Sequence, residues 1–353
     1  MEDSDQGGSA FAFEGSWREF APIAFTNLLL TIVTLGFYRF WATTRERRYL
    51  WSRTRFIDDR LEWTGTGLEL FIGFILVVLL FGIPFLILQF GLQALVLRGE
   101  VVLVALITLS IYLFLLYMFG LARFRALRYR LSRTYWHGIR GGSDDQGFRY
   151  GLSSIWRPVV GFLAFGLMIP WSMTTLWNKR WNKMSFGPFG FESGAQWPNI
   201  MGRYLLCVGF PFIAMLAGLI ALAPMAPAGY DQQAAVISGV ILFLIVYVGF
   251  ALVMTAFYAA FFREAVDSLS LSDLSFGFTA RTMDWLKLIL GHIGLVIVTL
   301  GIGLIFIRYR NWRFFITHMD AYGEIDTAAL TQSATREPGQ GEGLLDAFDV
   351  GAI

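Results

Sequence analysis

Apolar residues in this chain gather into seven runs: Ile23 to Ala42, Leu68 to Phe90, Val101 to Leu121, Val159 to Trp177, Tyr204 to Ala223, Ala234 to Phe262 and Leu286 to Ile307. Each is near the ~20 residues a helix needs to cross hydrocarbon. The second and third runs, and the fifth and sixth, are joined by short polar apices at Arg98 to Glu100 and Pro224 to Gln233, which predicts two long helical hairpins. The other three, around Gly36, Gly166 and Gly301, stand alone between basic stretches and are interrupted near their middles by Gly or Pro. Such residues break or bend a helix.

Basic residues concentrate on the cytoplasmic side of a membrane, so charge can weigh the two behaviours open to the short runs. If all three cross, the 28 basic residues split 19 inside and 9 outside. If they dip in and return, only Arg98 is outside and the split is 27 to 1. The cleaner split predicts four spanning helices, three re-entrant or interfacial elements and both termini cytoplasmic; seven plain spans are the alternative.

Self-comparison adds an internal repeat. The run TIVTLGFYRFWATTR (Thr31 to Arg45) returns as VIVTLGIGLIFIRYR (Val296 to Arg310), which places Asn27 on His292 and Gly36 on Gly301. A weaker middle copy, AFGLMIPW (Ala164 to Trp171), places Arg157 on Asn27 and Gly166 on Gly36. A basic signature, RERRYLWSRTRF (Arg45 to Phe56), returns as RALRYRLSRTYW (Arg125 to Trp136). Ahead of the membrane elements, large apolar residues alternate with period two: Phe11 and Phe13, Leu61 and Trp63, Phe148 and Tyr150, Phe189 and Phe191, Phe276 and Phe278. Period two predicts strands. The expected fold is therefore an all-α polytopic membrane protein with internal repeats. Its short aromatic β-strands pair with one another in a small cytoplasmic collar, since isolated strands are unstable.

Composition agrees with a membrane protein. Of 353 residues 56% are hydrophobic and 15% charged, with mean hydropathy +0.57, well above the apolar share of soluble domains. A single membrane domain is expected over residues 11–325, between disordered ends at 1–10 and 326–353. In the tail, Leu344, Leu345 and Phe348 are candidates for docking on a partner. The acidic start, Met1 to Glu14, is the reverse of a cleaved signal peptide's basic n-region, so the first membrane element is expected to stay. Cys207 is the only cysteine, which leaves no disulfide framework and no cysteine metal site.

NLLLTIVTLGFYRFWATTRERRYLWSRTR (Asn27 to Arg55) and WTGTGLELFIG (Trp63 to Gly73) resemble the YjgN-like bacterial family, a domain of unknown function named for an inner-membrane protein. The resemblance covers roughly residues 11–322 and implies an inner-membrane, multi-pass location and the same repeated architecture. It implies no activity. The chain departs from the family's pattern in its last copy, where IRYRNWRFF (Ile307 to Phe315) is a less regular basic stretch.

Two residue sets are candidate sites. Arg45, Arg48, Tyr49 and Ser52 share one helix face, and Arg125, Arg128, Tyr129 and Ser132 repeat it. Arginine forks bind phosphate oxygens and interleaved aromatics settle at headgroup depth, so anionic membrane lipids are the expected partner. The plainer reading is an ordinary positive-inside anchor with snorkelling side chains. The second set is Asn27, Arg157 and His292, polar at membrane depth at matching repeat positions, with Lys287 nearby; they would line a shared vestibule or hold an anionic headgroup, or else satisfy a backbone group near a helix start. The long hairpins contain almost no ionisable groups, which disfavours a proton-driven carrier. No P-loop, dinucleotide, zincin or serine-hydrolase motif occurs, so no catalysis, cofactor or metal is expected. Asp58, Asp59, Asp144 and Asp145 read as turn residues. Nucleic acid is not an expected partner, because the basic segments hug the bilayer and net charge is only +2. The leading expectation is a lipid-interacting or conduit-forming scaffold; a transporter or channel for a small solute is the alternative, and a homo-oligomer is compatible with either.

Overall fold

A computed structural model describes residues 9–222 and 232–339. Residues 1–8 of the expected disordered start, most of the apex from Pro224 to Gln233, and the tail residues Leu344, Leu345 and Phe348 lie outside the described residues.

Every apolar excursion leaves from one short strand and returns to the strand paired with it. Strand β1 (Phe11–Phe13) leads into helices α1 (Trp17–Val33) and α2 (Arg39–Ser52), and β2 (Thr54–Phe56) follows, with Phe11 opposite Phe56. The extended stretch β3 (Asp59–Arg60) and β4 (Glu62–Trp63) leads into α3 (Gly67–Val77), a π-helical turn (Val78–Gly82) and α4 (Ile83–Leu97); α5 (Val101–Arg133) returns to β5 (Thr134–Trp136), which pairs with β4. Strand β6 (Ile139–Gly142), α6 (Phe148–Leu163) and α7 (Ile169–Trp181) end at β7 (Ser185–Phe186), paired with β6. Strand β8 (Phe189–Ser193), α8 (Pro198–Leu222) and α9 (Gln232–Asp267) end at β9 (Leu269–Leu271), paired with β8. Finally β10 (Leu274–Phe278), α10 (Thr282–Val298), a 3₁₀ turn (Ile302–Phe306) and α11 (Ile307–His318) end at β11 (Met319–Tyr322), paired with β10.

Two-residue turns link successive pairs, as at His137 and Gly138, both with positive φ. The result is an antiparallel meander that curls until its ends meet. The Ser9 hydroxyl donates to the Met319 carbonyl, and the Ala10 N–H donates to the Asp320 carboxylate at 3.1 Å. Rings from around the sheet meet over its inner face. Phe11 stacks on Phe56 at 4.5 Å, Phe56 meets Trp136 at 5.0 Å, and Phe276 bridges Phe11 and Phe191 at 6.3 and 6.4 Å. Trp136 also meets Phe186 at 6.2 Å. The expected all-α class is corrected here: the chain is mostly helical, but the strands form a curled antiparallel sheet in two hydrogen-bonded parts, of three strands (β1–β3) and eight (β4–β11).

Among the described residues four helices are long and apolar enough to cross a membrane: Gly67–Leu97, Val101–Arg133, Pro198–Ile220 and Val236–Asp267. Each of the three short runs is instead two helices folded back on each other. The reversal is made by a left-handed pair: Leu35 and Gly36 (φ 52° and 92°), Phe165 and Gly166 (53° and 80°), Leu300 and Gly301 (49° and 92°). The N–H of Gly36 reaches the Thr31 carbonyl and that of Gly301 the Val296 carbonyl, closing α1 and α10 with the wide hydrogen bond of a glycine C-cap. Leu35, Phe165 and Leu300 at the tips are 91–93% exposed, an arrangement suited to hydrocarbon and costly in water. Phe148 and Tyr150 are not a strand: they open α6 behind Gly147, whose φ of 79° starts the helix, and β6 just upstream takes the strand's place.

Candidate functional site

The two basic faces, alike in sequence, have different surroundings. Arg45 and Arg48 are exposed on α2, whereas Tyr49 is buried and donates to the Ser16 carbonyl at 2.9 Å, beside Glu19. Burial and the Glu19 charge push the Tyr49 phenol up to about 12. On α5, Arg125 is half-buried over the Phe148 ring. Arg128 is 1% exposed and donates to the Arg336 carbonyl; Tyr129 is buried and donates to Glu69 at 2.9 Å. The tyrosines thus clamp the starts of α1 and α3, and Arg128 faces the protein interior. Arg128 is covered by the segment after β11: Arg140 donates to the Thr335 carbonyl, Gln332 accepts from the Arg140 N–H, and Asp144 accepts from the Arg336 N–H.

Asn27, Arg157 and His292 each lie nine residues before the left-handed glycine of their hairpin, yet they have no partner in common. Asn27 donates to the Ala42 carbonyl and to Glu46, both at 3.3 Å, and Glu46 is paired with Arg308 at 2.8 Å, which ties the first hairpin to the third. His292 faces the charge of Arg310 on the opposite leg, and its Nε2 is buried without a hydrogen bond. Arg157 belongs to a different place altogether.

That place is a cavity of about 360 Å³ between α5, α6 and α7. Its lining includes Tyr150, Arg149, Arg157, Lys179, Lys183 and Asp145. Helix α6 builds it by being inside-out: Tyr150, Ser153 and Arg157 turn inward, while Phe148, Leu152 and Trp156 on the other face are exposed. A water-soluble amphipathic helix has the opposite polarity. Arg157 is nine-tenths buried, lies over the rings of Trp156 and Trp171 at 5.2 and 5.4 Å, and its Nε and Nη1 have no protein acceptor. Lys179 donates to the Ser153 hydroxyl at 3.0 Å; burial and the nearby Arg157 charge lower its pKa. Beyond Tyr150, the fully buried Arg180 is pushed down to about 10 by burial and by the charges of Arg123 and Arg130, with Tyr150 opposing. Asp145 accepts from the Gly147 N–H at 2.7 Å, and among the described residues none of Arg149, Arg157, Lys179 or Lys183 is in an ion pair.

Sequence reasoning singled out Arg157, while Arg149, Lys179 and Lys183 entered only the count of basic residues. A usable signal was present: WNKRWNK (Trp177 to Lys183) has five basic or amide residues and no acid.

A family model described as a bacterial protein of unknown function (DUF898) matches residues 8–347. The chain is 29% identical over 140 residues to the inner membrane protein YjgN of Escherichia coli O157:H7, covering 40% of this chain and 32% of that one. It is 28% identical over 91 residues to YjgN of Salmonella typhimurium, covering 26% and 23%. Against YjgN of Escherichia coli K12 the identity is 32% over 73 residues, covering 21% and 18%. The matched stretches therefore span a third or less of these relatives. No solved structure matches the chain. With the family model running across nearly all of it, the chain belongs to the bacterial DUF898 family of proteins of unknown function.

Proposed function

We propose that this is a lipid-interacting protein of the bacterial inner membrane, built from five copies of one strand–hairpin–strand unit, with its sheet and both termini cytoplasmic. The relatives' inner-membrane naming and the 27 to 1 charge split support the placement. Lipid interaction is carried by one observation: four cations with no carboxylate partner among the described residues line the cavity behind the exposed apolar face of α6. Unpaired cations at this level attract anionic headgroups. The aromatic rings filling the inner face of the sheet speak against a conduit through it, because a solute would have to displace Phe11, Phe56, Trp136 and Phe276.

The test is native mass spectrometry of protein released from its membrane in mild detergent. Co-purifying anionic lipid that falls away in the Arg157→Gln/Lys179→Gln double variant is the expected result. Retention of the same lipid by that variant, or solute flux in proteoliposomes without any lipid preference, would overturn the proposal.

A further inference from the structure

We infer that the cavity at Arg157 binds a phosphomonoester, a terminal dianionic phosphate, in preference to the singly charged phosphodiester of common headgroups. The inference rests on the lipid-interacting reading and names the ligand of its site.

Charge balance is the first reason. Buried Arg157 and the solvent-exposed Arg149, Lys179 and Lys183 share the lining with one carboxylate, Asp145, which accepts from the Gly147 N–H. A phosphodiester carries one charge, whereas a phosphomonoester carries about −1.5 to −2 near pH 7. Only the second comes near to cancelling the excess. A buried cation without a partner is destabilised by desolvation, so Arg157 gains most from an anion that reaches its orphaned nitrogens.

The second reason is the kind of hydrogen-bonding group left free. The acceptor of Asn178 is occupied: its oxygen accepts from Ser193 and the Ala195 N–H, while its amide donates one N–H to the Ala195 carbonyl. Asn182 is likewise engaged by Ser193. The Thr175 hydroxyl is turned back onto the Trp171 carbonyl. What remains is dominated by N–H donors of the cations and of the two amides, with the Tyr150 hydroxyl and the Asp145 carboxylate beside them, which suits a ligand end that only accepts, such as PO₃²⁻, over a sugar or glycerol headgroup rich in hydroxyl donors. The Arg157 guanidinium is held against two indoles, so its direction is fixed before binding.

The volume, about 360 Å³, lies within the roughly 300–1,000 Å³ of small-molecule sites. Phe148 and Leu152, each more than half exposed on the outer face of α6, offer acyl chains a surface beside the cavity. A lipid phosphomonoester and a free one share the recognition chemistry, and the chains separate them.

Detergent-solubilised full-length protein is titrated with dihexanoyl phosphatidic acid, dihexanoyl phosphatidylglycerol and chain-free glycerol 3-phosphate. Binding is read by tryptophan fluorescence, which Trp156 and Trp171 report, and by native mass spectrometry. The expected result is phosphatidic acid binding at least about tenfold tighter than phosphatidylglycerol, the effect of one added charge at a partly buried cationic site. Arg157→Gln and Lys179→Gln should each erase that preference, and Arg157→Lys should restore part of it. Glycerol 3-phosphate matching phosphatidic acid assigns the site to a free phosphomonoester; much weaker binding assigns it to the lipid. Equal affinity for the two lipids, lost in Arg157→Gln, sinks the monoester preference and leaves the anionic-headgroup reading standing. No binding of either lipid, or a preference that survives both Gln substitutions, sinks both. Melting each variant alongside the wild type shows whether a loss reflects the site or the fold.

Discussion

Removing Trp136 tests whether the aromatic cluster is the core on which all the membrane elements stand. Its side chain is 1% exposed, sits between Phe56 and Phe186, and its indole N–H donates to the Phe56 carbonyl at 3.0 Å. Truncating a buried Trp to Ala costs about 3–5 kcal/mol, and the stranded carbonyl adds about 1–3. Allowing for partial collapse, Trp136→Ala should lose about 4–6 kcal/mol, a large share of a typical fold's roughly 5–15 kcal/mol. Trp136→Phe keeps most of the ring contact and isolates the hydrogen bond, so it should lose about 1–3 kcal/mol. The control is Trp156→Ala, on the exposed face of α6. Thermal unfolding in one fixed detergent, followed by circular dichroism, should place Trp136→Ala about 10 °C below wild type at roughly 2 °C per kcal/mol. A drop under about 2 °C, or one no larger than that of Trp156→Ala, would refute the sheet cluster as the structural core.

Four further outcomes are expected. Gly301→Val should cost about 1–2 kcal/mol from backbone strain alone, since φ is 92° with no atom near the new Cβ, whereas Gly91→Ala, in ordinary helix with equal space, should be neutral or better in the same melt. The Tyr49 phenol, raised to about 12, contributes stability that is complete below pH 10 and lost as pH rises through 12, up to about 3 kcal/mol; alkaline melting curves of Tyr49→Phe should lack that loss. A double-mutant cycle on Glu46→Gln and Arg308→Gln should give a coupling of about 0.5–3 kcal/mol, and additive losses would mean that the 2.8 Å pair does not join the two hairpins. In a Cys207→Ala background, a cysteine at Arg98 should react with an impermeant maleimide on intact spheroplasts and one at Lys183 only after permeabilisation; the reverse pattern would invert the proposed sidedness.

Run length alone did not separate the seven apolar runs; the distribution of basic residues and the glycines within the short runs pointed to four long helices and three interrupted elements. Leu–Gly at 35–36 and 300–301 and Phe–Gly at 165–166 are where those three elements turn back. Period-two aromatics likewise announced β1, β8 and β10. The same alternation misled at Phe148 and Tyr150, because two residues fit a strand and a helix equally well and Gly147 decided between them. Tertiary structure alone decided the rest. The sheet closes through Ala10 and Asp320, 310 positions apart. Arg48 and Arg128 occupy the same place in one motif, yet the first meets solvent and the second is buried under a carbonyl 208 residues away. Sequence counts charges but cannot say which will find a carboxylate, since Coulomb energy and desolvation depend on separation in space. So Arg157 was legible as a candidate, but that Lys179 and Lys183 join it around one cavity beside Asp145 was decided by folding.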